Sequence, residues 1–296
     1  MDLLYSVKKS LRHITPQSKA EKEAAYVLRQ RISSLPNLPE DSRNSWIENR
    51  LMLRKLILEK DPRFFLTWDV IQKTMFHNAR DAEFEFLKKK GFLDTWREAL
   101  IGSEIGNPKP YKQMRKSDGN LIHQAYHISR LREYTNLNPQ SVIEFGGGYG
   151  SMAGFLRKLG LGENYIILDF PEFLALQKYY LSLLGQSMQF AHNSQSGNNQ
   201  VTLVDSISEL KQISAKNKQT DLCIALWSVS ESPIEIRRQF LDSIGKPSAF
   251  LIAFQKSFDN NDNVNFFRDF QKSRPDLHWH SSEITHLPGN YYLIGM

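Results

Sequence analysis

The stretch SVIEFGGGYG, Ser141 to Gly150, decides how the rest of this 296-residue chain is read. A short β-branched strand runs straight into three consecutive glycines, and each missing Cβ lets a ligand approach the main chain. Met152, Phe155, Leu156 and Leu159 follow at helical spacing, so the glycines sit at a strand-to-helix corner with free N–H groups. A second apolar run, Tyr165 to Leu168, ends at Asp169, nineteen residues after Gly150. That distance suffices to cross a helix, return along a neighbouring strand and set a carboxylate against two ribose hydroxyls. The stretch therefore predicts a cradle for a nucleotide-like cofactor.

Two cofactors compete for it. Gly148 to Ala153 satisfies G-x-G-x-x-A, the dinucleotide fingerprint, in which a helix N-terminus holds a pyrophosphate. Glu144 lies two residues before Gly146, the first glycine of a G-x-G-x-G run completed by Gly148 and Gly150. A carboxylate there repels a pyrophosphate and suits a positive amino or sulfonium group, which S-adenosylmethionine carries.

Working outward, the chain alternates strand and helix. YIILDF is followed by a helix from Pro171 to Leu184, then by a third strand that is either Ser187 to Ala191, ending at His192, or Val201 to Val204, ending at Asp205. Further strands are Asp221 to Trp227 and Ala249 to Phe254, with a helix from Ile234 to Ile244 between them. Two apolar runs around Pro288-Gly289-Asn290 suit a closing antiparallel pair. The alternation predicts an α/β, Rossmann-like, mainly parallel sheet with a C-terminal antiparallel strand pair.

Ahead of it, residues 1–101 read as an all-helical region, a lid or an oligomerisation element. Asp41 is set to cap a helix carrying Ile47, Leu51, Ile57 and Leu58, and Asp61 before Pro62 starts another. Gly91 marks a break, and Phe84, Phe86, Leu87, Phe92, Leu93, Trp96 and Leu100 read as core. Residues 102–135 are a basic loop and a linking helix, and 136–296 form the Rossmann-like domain. In the loop, Lys109, Lys112, Arg115 and Lys116 surround Tyr111, as a flap facing an anionic acceptor or as a plain linker. The helix from Leu121 to Thr135 carries His123, His127, Arg130 and Tyr134 on one face, which either looks into a cleft or faces solvent.

With 41% apolar residues the chain has enough material for a real core. Its 38 Lys and Arg against 32 Asp and Glu, net +6, favour acidic partners without requiring nucleic acid, and none is expected. Cys223, the single cysteine, lies in an apolar run and reads as a buried strand residue; with no disulfide possible, the cytoplasm is the expected compartment. No apolar run approaches membrane-span length and no signal-peptide core is visible.

VIEFGGGYGSMAGFLRKLG, YIILDFPEFLALQKYYLSLLG and DLCIALWSVSES resemble class I S-adenosylmethionine-dependent methyltransferases. More narrowly, they are similar to the sugar O-methyltransferases found with bacterial surface-polysaccharide genes, over about Tyr111 to Met296. The resemblance implies an S-adenosylmethionine cofactor and methyl transfer to a hydroxyl of a sugar or surface-glycan precursor; the net positive charge and the basic loop lean toward an anionic acceptor, and no metal is expected to be required. It implies that Glu144, Gly146, Gly148 and Gly150 hold the methionine end and Asp169 the ribose. Phe170 packs on adenine, and Asp205 or His192 meets the adenine amino group. Trp227, Ser228, Ser230 and Glu231 then lie between cofactor and acceptor. Family members often carry an asparagine near that strand end, where this chain has Ala225, Leu226 and Trp227, so the acceptor contacts differ.

The attacking hydroxyl must lose a proton, and Glu231, His123 and His127 are the candidate bases; Glu231 alternatively caps the helix after it. Tyr111, Arg130, Ser228 and Ser230 are candidate acceptor contacts. Asp259 and Asp262 in FDNNDN read as a polar turn or as a Mg²⁺ site. The rival functions are an NAD-dependent oxidoreductase and a non-catalytic cofactor-bound scaffold that self-associates through its N-terminal helices.

Overall fold

The computed structural model describes residues 15–38, 45–191, 199–216 and 219–296; Asp41 and His192 therefore lie outside the described residues. Helix α1 (Lys19–Ser33) starts with a capping box, the Ser18 hydroxyl accepting from the Glu21 N–H while the Glu21 carboxylate accepts from the Ser18 N–H. Helix α2 (Ser45–Glu59) buries Leu53 and Ile57, whereas Leu51 and Leu58 are exposed. The expected stripe through Leu51 and Leu58 is thus rotated, because this helix is apolar on more than one side. The face turned inward is Arg50, Leu53, Arg54 and Ile57, whose arginines find a buried acid. Asp61 starts a 3₁₀ turn (Pro62–Thr67) by accepting the Arg63 N–H at 3.0 Å, as Asp-Pro predicts. Short helices α3 (Asp69–Thr74), α4 (Asp81–Lys89) and α5 (Phe92–Thr95) follow, the last two separated by Gly91 at φ +77°.

Helix α6 (Gly119–Arg132), capped by Asp118, leads into β1 (Ser141–Phe145), α7 (Ser151–Lys158), β2 (Asn164–Leu168) and α8 (Pro171–Leu183). Both candidates for the third strand form: β3 (Met188–Phe190) and β4 (Gln200–Val204) pair in parallel, and β4 is the one that lies against β2. Then come α9 (Ile207–Lys216), β5 (Leu222–Leu226), α10 (Ile234–Ser243), β6 (Ala249–Gln255) and a hairpin of β7 (Ser257–Phe258) with β8 (Asn261–Asp262). Helix α11 (Asn263–Ser273), β9 (Trp279–Glu283) and β10 (Asn290–Gly295) close the chain.

The described strands form an eight-stranded sheet in the order β3-β4-β2-β1-β5-β6-β10-β9. From β3 to β6 every pairing is parallel, and β10 runs antiparallel to both β6 and β9. This is the expected Rossmann-like sheet with its antiparallel pair. The chain winds from β1 to one side and then crosses to β5 on the other, so a switch point opens beyond the carboxyl ends of β1 and β5. Strands buried on both faces read as apolar runs, which is why VIEF, YIIL, LCIAL and AFLIAF were recognisable. Cys223 is fully buried in β5, as expected.

Helices α6, α7 and α8 contribute to the apolar cluster on one sheet face and α9, α10 and α11 to that on the other. A further cluster joins the N-terminal helices to the outer side of α8 through Leu28, Leu53, Ile57, Phe65, Phe173, Leu176 and Tyr149. At its edge Glu172, fully buried, accepts from Arg50 Nε at 2.8 Å and from Arg54 Nε at 2.7 Å. Burial alone would raise this carboxyl, but the two guanidiniums outweigh it and hold it below its ordinary range. No helix among the described residues is long and apolar enough to cross a membrane.

Candidate active site

A cavity of about 1470 Å³ occupies the switch point. Its floor is the row of strand ends: Phe145 and Gly146 after β1, Leu168 to Phe170 after β2, Asp205 after β4, Trp227 and Ser228 after β5, and Gln255 at the end of β6. Its other wall is N-terminal, formed by Trp46, by the segment Lys73 to Arg80 and by Glu83.

The glycine corner needs its glycines. Gly146 (φ +76°) and Gly148 (φ +58°) both line the cavity in the left-handed region, and a Cβ on Gly146 would stand 2.4 Å from the Ser228 Cβ. Gln177, wholly buried in α8, donates from Nε2 to the Gly148 carbonyl at 3.0 Å and to Asp169 at 2.8 Å, so one side chain ties the corner to the acid after β2. Asp169 also accepts the Phe170 N–H at 2.8 Å. Its outer edge opens to the cavity, yet the enclosing protein pushes its carboxyl up to about 8, with Glu144 adding to the rise. Phe170 exposes its ring to the cavity and carries the Arg50 guanidinium 4.5 Å from its centroid. Asp205 lines the cavity and has Arg31 at 3.7 Å.

Glu144 is placed differently from expectation. It does not line the cavity but lies beneath the loop, buried, accepting the Tyr165 hydroxyl at 2.9 Å, with its Oε2 3.1 Å from where a Cβ of Gly147 would be. Burial raises it to about 7, so it shapes the loop from below instead of meeting a ligand directly. Gly150 is likewise away from the cavity. Beside the start of α7, Asn120, fully buried, donates from Nδ2 to Tyr149 Oη at 2.8 Å and to Ser151 Oγ at 3.0 Å. Neither Gly150, Ser151 nor Met152 reaches the cavity.

Trp227 follows β5 with φ +63°, a strained value for a bulky residue, held by a bond from its Nε1 to Asn290 Oδ1 at 2.7 Å. Its ring lies against three imidazoles: stacked on His123 at 6.1 Å, edge-on to His127 at 5.5 Å and tilted to His77 at 6.2 Å. The Ser228 hydroxyl donates to the Phe145 carbonyl, joining the β1 and β5 ends. Glu231 faces the cavity, accepts Gln255 Nε2 at 3.4 Å, and is raised by burial. It does not cap α10, whose N-cap is Pro233 without a side-chain bond.

Several expected acceptor contacts lie elsewhere. Tyr111 is buried against Phe84 and its N–H bonds Ser117, so the basic loop folds back on itself and does not reach the cavity as a flap. Arg130 pairs with Glu133 over the Phe86 ring, outside the cavity. Ser230 is buried, spending its hydroxyl on the Trp227 carbonyl at 2.6 Å and on Gln255. Asp262 caps α11 and Asp259 sits in the β7–β8 turn at φ +44°, the polar-turn reading of that segment.

His123 and His127 do share a face of α6, but only His123 reaches the cavity. Behind it lies a chain of contacts that the sequence did not suggest. Glu83 of α4, 1% exposed, has both oxygens 3.0 Å from His123 Nδ1 and one oxygen 2.7 Å from His286 Nε2. His123 Nε2 is 3.0 Å from His127 Nε2, and His127 Nδ1 meets the Tyr292 hydroxyl. One assignment of protons satisfies every link: Tyr292 O–H to His127, His127 Nε2–H to His123, and His123 Nδ1–H and His286 Nε2–H to an ionised Glu83. Burial pushes Glu83 up, but the hydrogen bonds it receives from the two imidazoles outweigh it and lower its carboxyl; burial drives His127 down.

No family model matches the chain, and no curated protein matches it. Among solved structures it is similar to the methyltransferase domain of the bacterial CtHen1-CN, at 11% identity and a TM-score of 0.42, covering 59% of this chain and 97% of that one. It is also similar to precorrin-6y C5,15-methyltransferase from Geobacter metallireducens GS-15 (14%, 0.39, 66% and 96%) and to an rRNA methylase from Streptococcus thermophilus (14%, 0.39, 57% and 92%). With identities and TM-scores this low, the chain's own geometry has to carry its functional reading.

Proposed function

We propose that this chain is an S-adenosylmethionine-dependent methyltransferase acting on a hydroxyl of a sugar or surface-glycan precursor. The observation that carries the reading is the cavity floor, where Gly146, Asp169, Phe170 and Asp205 stand in sequence along the ends of β1, β2 and β4. Asp169 would accept from the ribose hydroxyls, Phe170 and Asp205 would receive the adenine, and the bare backbone at Gly146 and Gly148 would admit the methionine end. The first turn of α7, with Ser151 and Met152 buried and outside the cavity, weighs against a dinucleotide, whose pyrophosphate needs that helix end open.

When bound, the cofactor supplies an electrophilic methyl on a sulfonium. The protein's share is then to exclude water, align the acceptor oxygen behind that methyl and take its proton. The acceptor would lie beyond Trp227 and Ser228, past the cofactor. The cavity lining there and along the N-terminal wall offers Glu231 and Asp259 with the carboxamides of Asn49, Gln72, Asn78, Gln255, Asn261 and Asn290, against the cations Lys73 and Arg80. Carboxylates and carboxamides suit an uncharged polyhydroxylated acceptor better than a phosphorylated one.

Calorimetry with S-adenosylhomocysteine, and NAD(H) in parallel, tests the cofactor. Micromolar binding of the former that disappears in Asp169→Ala is expected; binding of NAD(H) alone would overturn the reading. Labelled S-adenosylmethionine offered with neutral monosaccharides, sugar phosphates, nucleotide sugars and RNA then tests the acceptor, with the neutral sugars expected to take up label.

A further inference from the structure

We infer that His77 is the base that takes the acceptor's proton, with the buried Glu83–His123 pair packed behind it; this rests on the methyltransferase reading above. His77 stands on the segment between α3 and α4, in TMFHNARD, where no periodicity marks it. Its ring is exposed into the cavity, 5.5 Å from His123 and 6.2 Å from Trp227 by ring centroid, on the acceptor side of the β5 end.

The competing imidazoles are committed. His127 does not reach the cavity, and the second nitrogen of His123 is engaged with His127, so taking a proton there would break the chain that orients it. Glu231 is already approached by Gln255.

The placement of His77 is fixed from both sides. Its N–H donates to Asn120 Oδ1 at 3.0 Å, the same carboxamide whose Nδ2 holds Tyr149 and Ser151 beside the glycine corner. Two residues on, the Ala79 N–H donates to the Gly119 carbonyl at 3.0 Å, and Asn78 lies so close to Gly119 that a Cβ there would stand 2.4 Å from its Oδ1. The cofactor corner and the base therefore hang from one residue, Asn120, and move as a unit.

The surroundings of the ring favour a free base. Enclosure by the cavity wall is the main cause that holds His77 down to about 4, with Glu83 opposing it. Arg80 on its own segment adds positive charge to the same wall. At neutral pH the ring thus has a lone pair available. In the step proposed, the acceptor oxygen forms its bond to the methyl carbon as the carbon–sulfur bond breaks, sulfur leaves as a neutral thioether, and the hydroxyl proton passes to the His77 imidazole. Glu83, ionised on the far side of His123, offsets the charge that results.

Two measurements decide this. Nitrogen-15 NMR of the histidine rings, which needs no acceptor, should show His77 neutral from pH 8 to below 5.5. A ring still protonated at pH 7.5 overturns the proposal. His77→Gln should bind S-adenosylhomocysteine within twofold of wild type while slowing label transfer to the acceptor found in the screen at least 100-fold, with partial recovery in free imidazole. Transfer within fivefold of wild type refutes the role of His77, and lost S-adenosylhomocysteine binding in wild type itself refutes the methyltransferase reading instead.

Discussion

Replacing Glu83 by glutamine tests the buried chain behind the site at a single functional group. In the wild type the carboxylate receives two imidazole donors, His123 at 3.0 Å and His286 at 2.7 Å, and is 1% exposed. Each hydrogen bond to a charged group is worth roughly 1.5–3 kcal/mol. Glutamine keeps one acceptor oxygen but turns an NH₂ toward an imidazole N–H, so about one such bond is lost outright and the other becomes neutral. Relief from desolvating the carboxylate offsets part of this, leaving a net loss of about 2 kcal/mol, enough to change the folding equilibrium by more than tenfold. The pH dependence has a definite sign. Because the folded protein lowers the Glu83 carboxyl, its stabilisation is present above the unfolded value near 4.5 and is lost as pH falls through the lower folded value. Urea unfolding of wild type and Glu83→Gln should therefore differ by about 2 kcal/mol at pH 7 and converge as pH falls below about 4. A gap under about 0.5 kcal/mol at pH 7, or one that stays constant into acid, would refute the ionised, doubly paired carboxylate.

Other outcomes follow from the same geometry. Gly146→Ala combines a left-handed φ with a Cβ 2.4 Å from Ser228 and should cost about 3 kcal/mol in chemical unfolding while abolishing S-adenosylhomocysteine binding. Enclosure raises Asp169 from an unfolded value near 3.8 to about 8, so the contribution of its neutral form is fully present below about 4 and is lost progressively as pH rises to about 8; Asp169→Asn should gain most thermal stability over wild type at pH 9, less at pH 6 and least near pH 4. Asn120→Ala removes three buried bonds and should lower stability by about 3 kcal/mol and weaken S-adenosylhomocysteine binding, although Asn120 lies outside the cavity. Arg237, fully buried, donates to the carbonyls of Ser230 and Ser232 and to Asn263; Arg237→Met should loosen the Glu231 turn, seen as faster amide exchange at Ser230 to Ser232.

The sequence by itself determined the sheet. Strands buried on both faces appear as unbroken apolar runs, and the turns between them are marked by glycine, proline or an acid, so β1, β2, β5, β6 and the closing pair could be placed before any coordinates. That Gly146, Asp169, Phe170 and Asp205 line the cavity was legible for the same reason: in a parallel sheet the residues after the strands' carboxyl ends border a common cleft. Glu144 was legible as an acid but not as one hidden under the loop, because sequence gives a residue's strand and not which side of a glycine turn its carboxylate takes.

The opposite wall of the cavity is a product of tertiary packing. His77 and Glu83, close together in the N-terminal half, and His286, near the C-terminus, carry no periodicity or spacing of their own, and only the packing of the N-terminal segment across the strand ends brings them to His123 and Trp227. Conversely, Tyr111, Arg130 and Ser230 had the right chemistry in the right neighbourhood, but the fold gave them local partners instead. Strand ends are positioned by backbone hydrogen bonding, which is local and repetitive and therefore written in the sequence. A wall built from side chains of separate helices is positioned by packing, and packing is settled only when the whole chain closes.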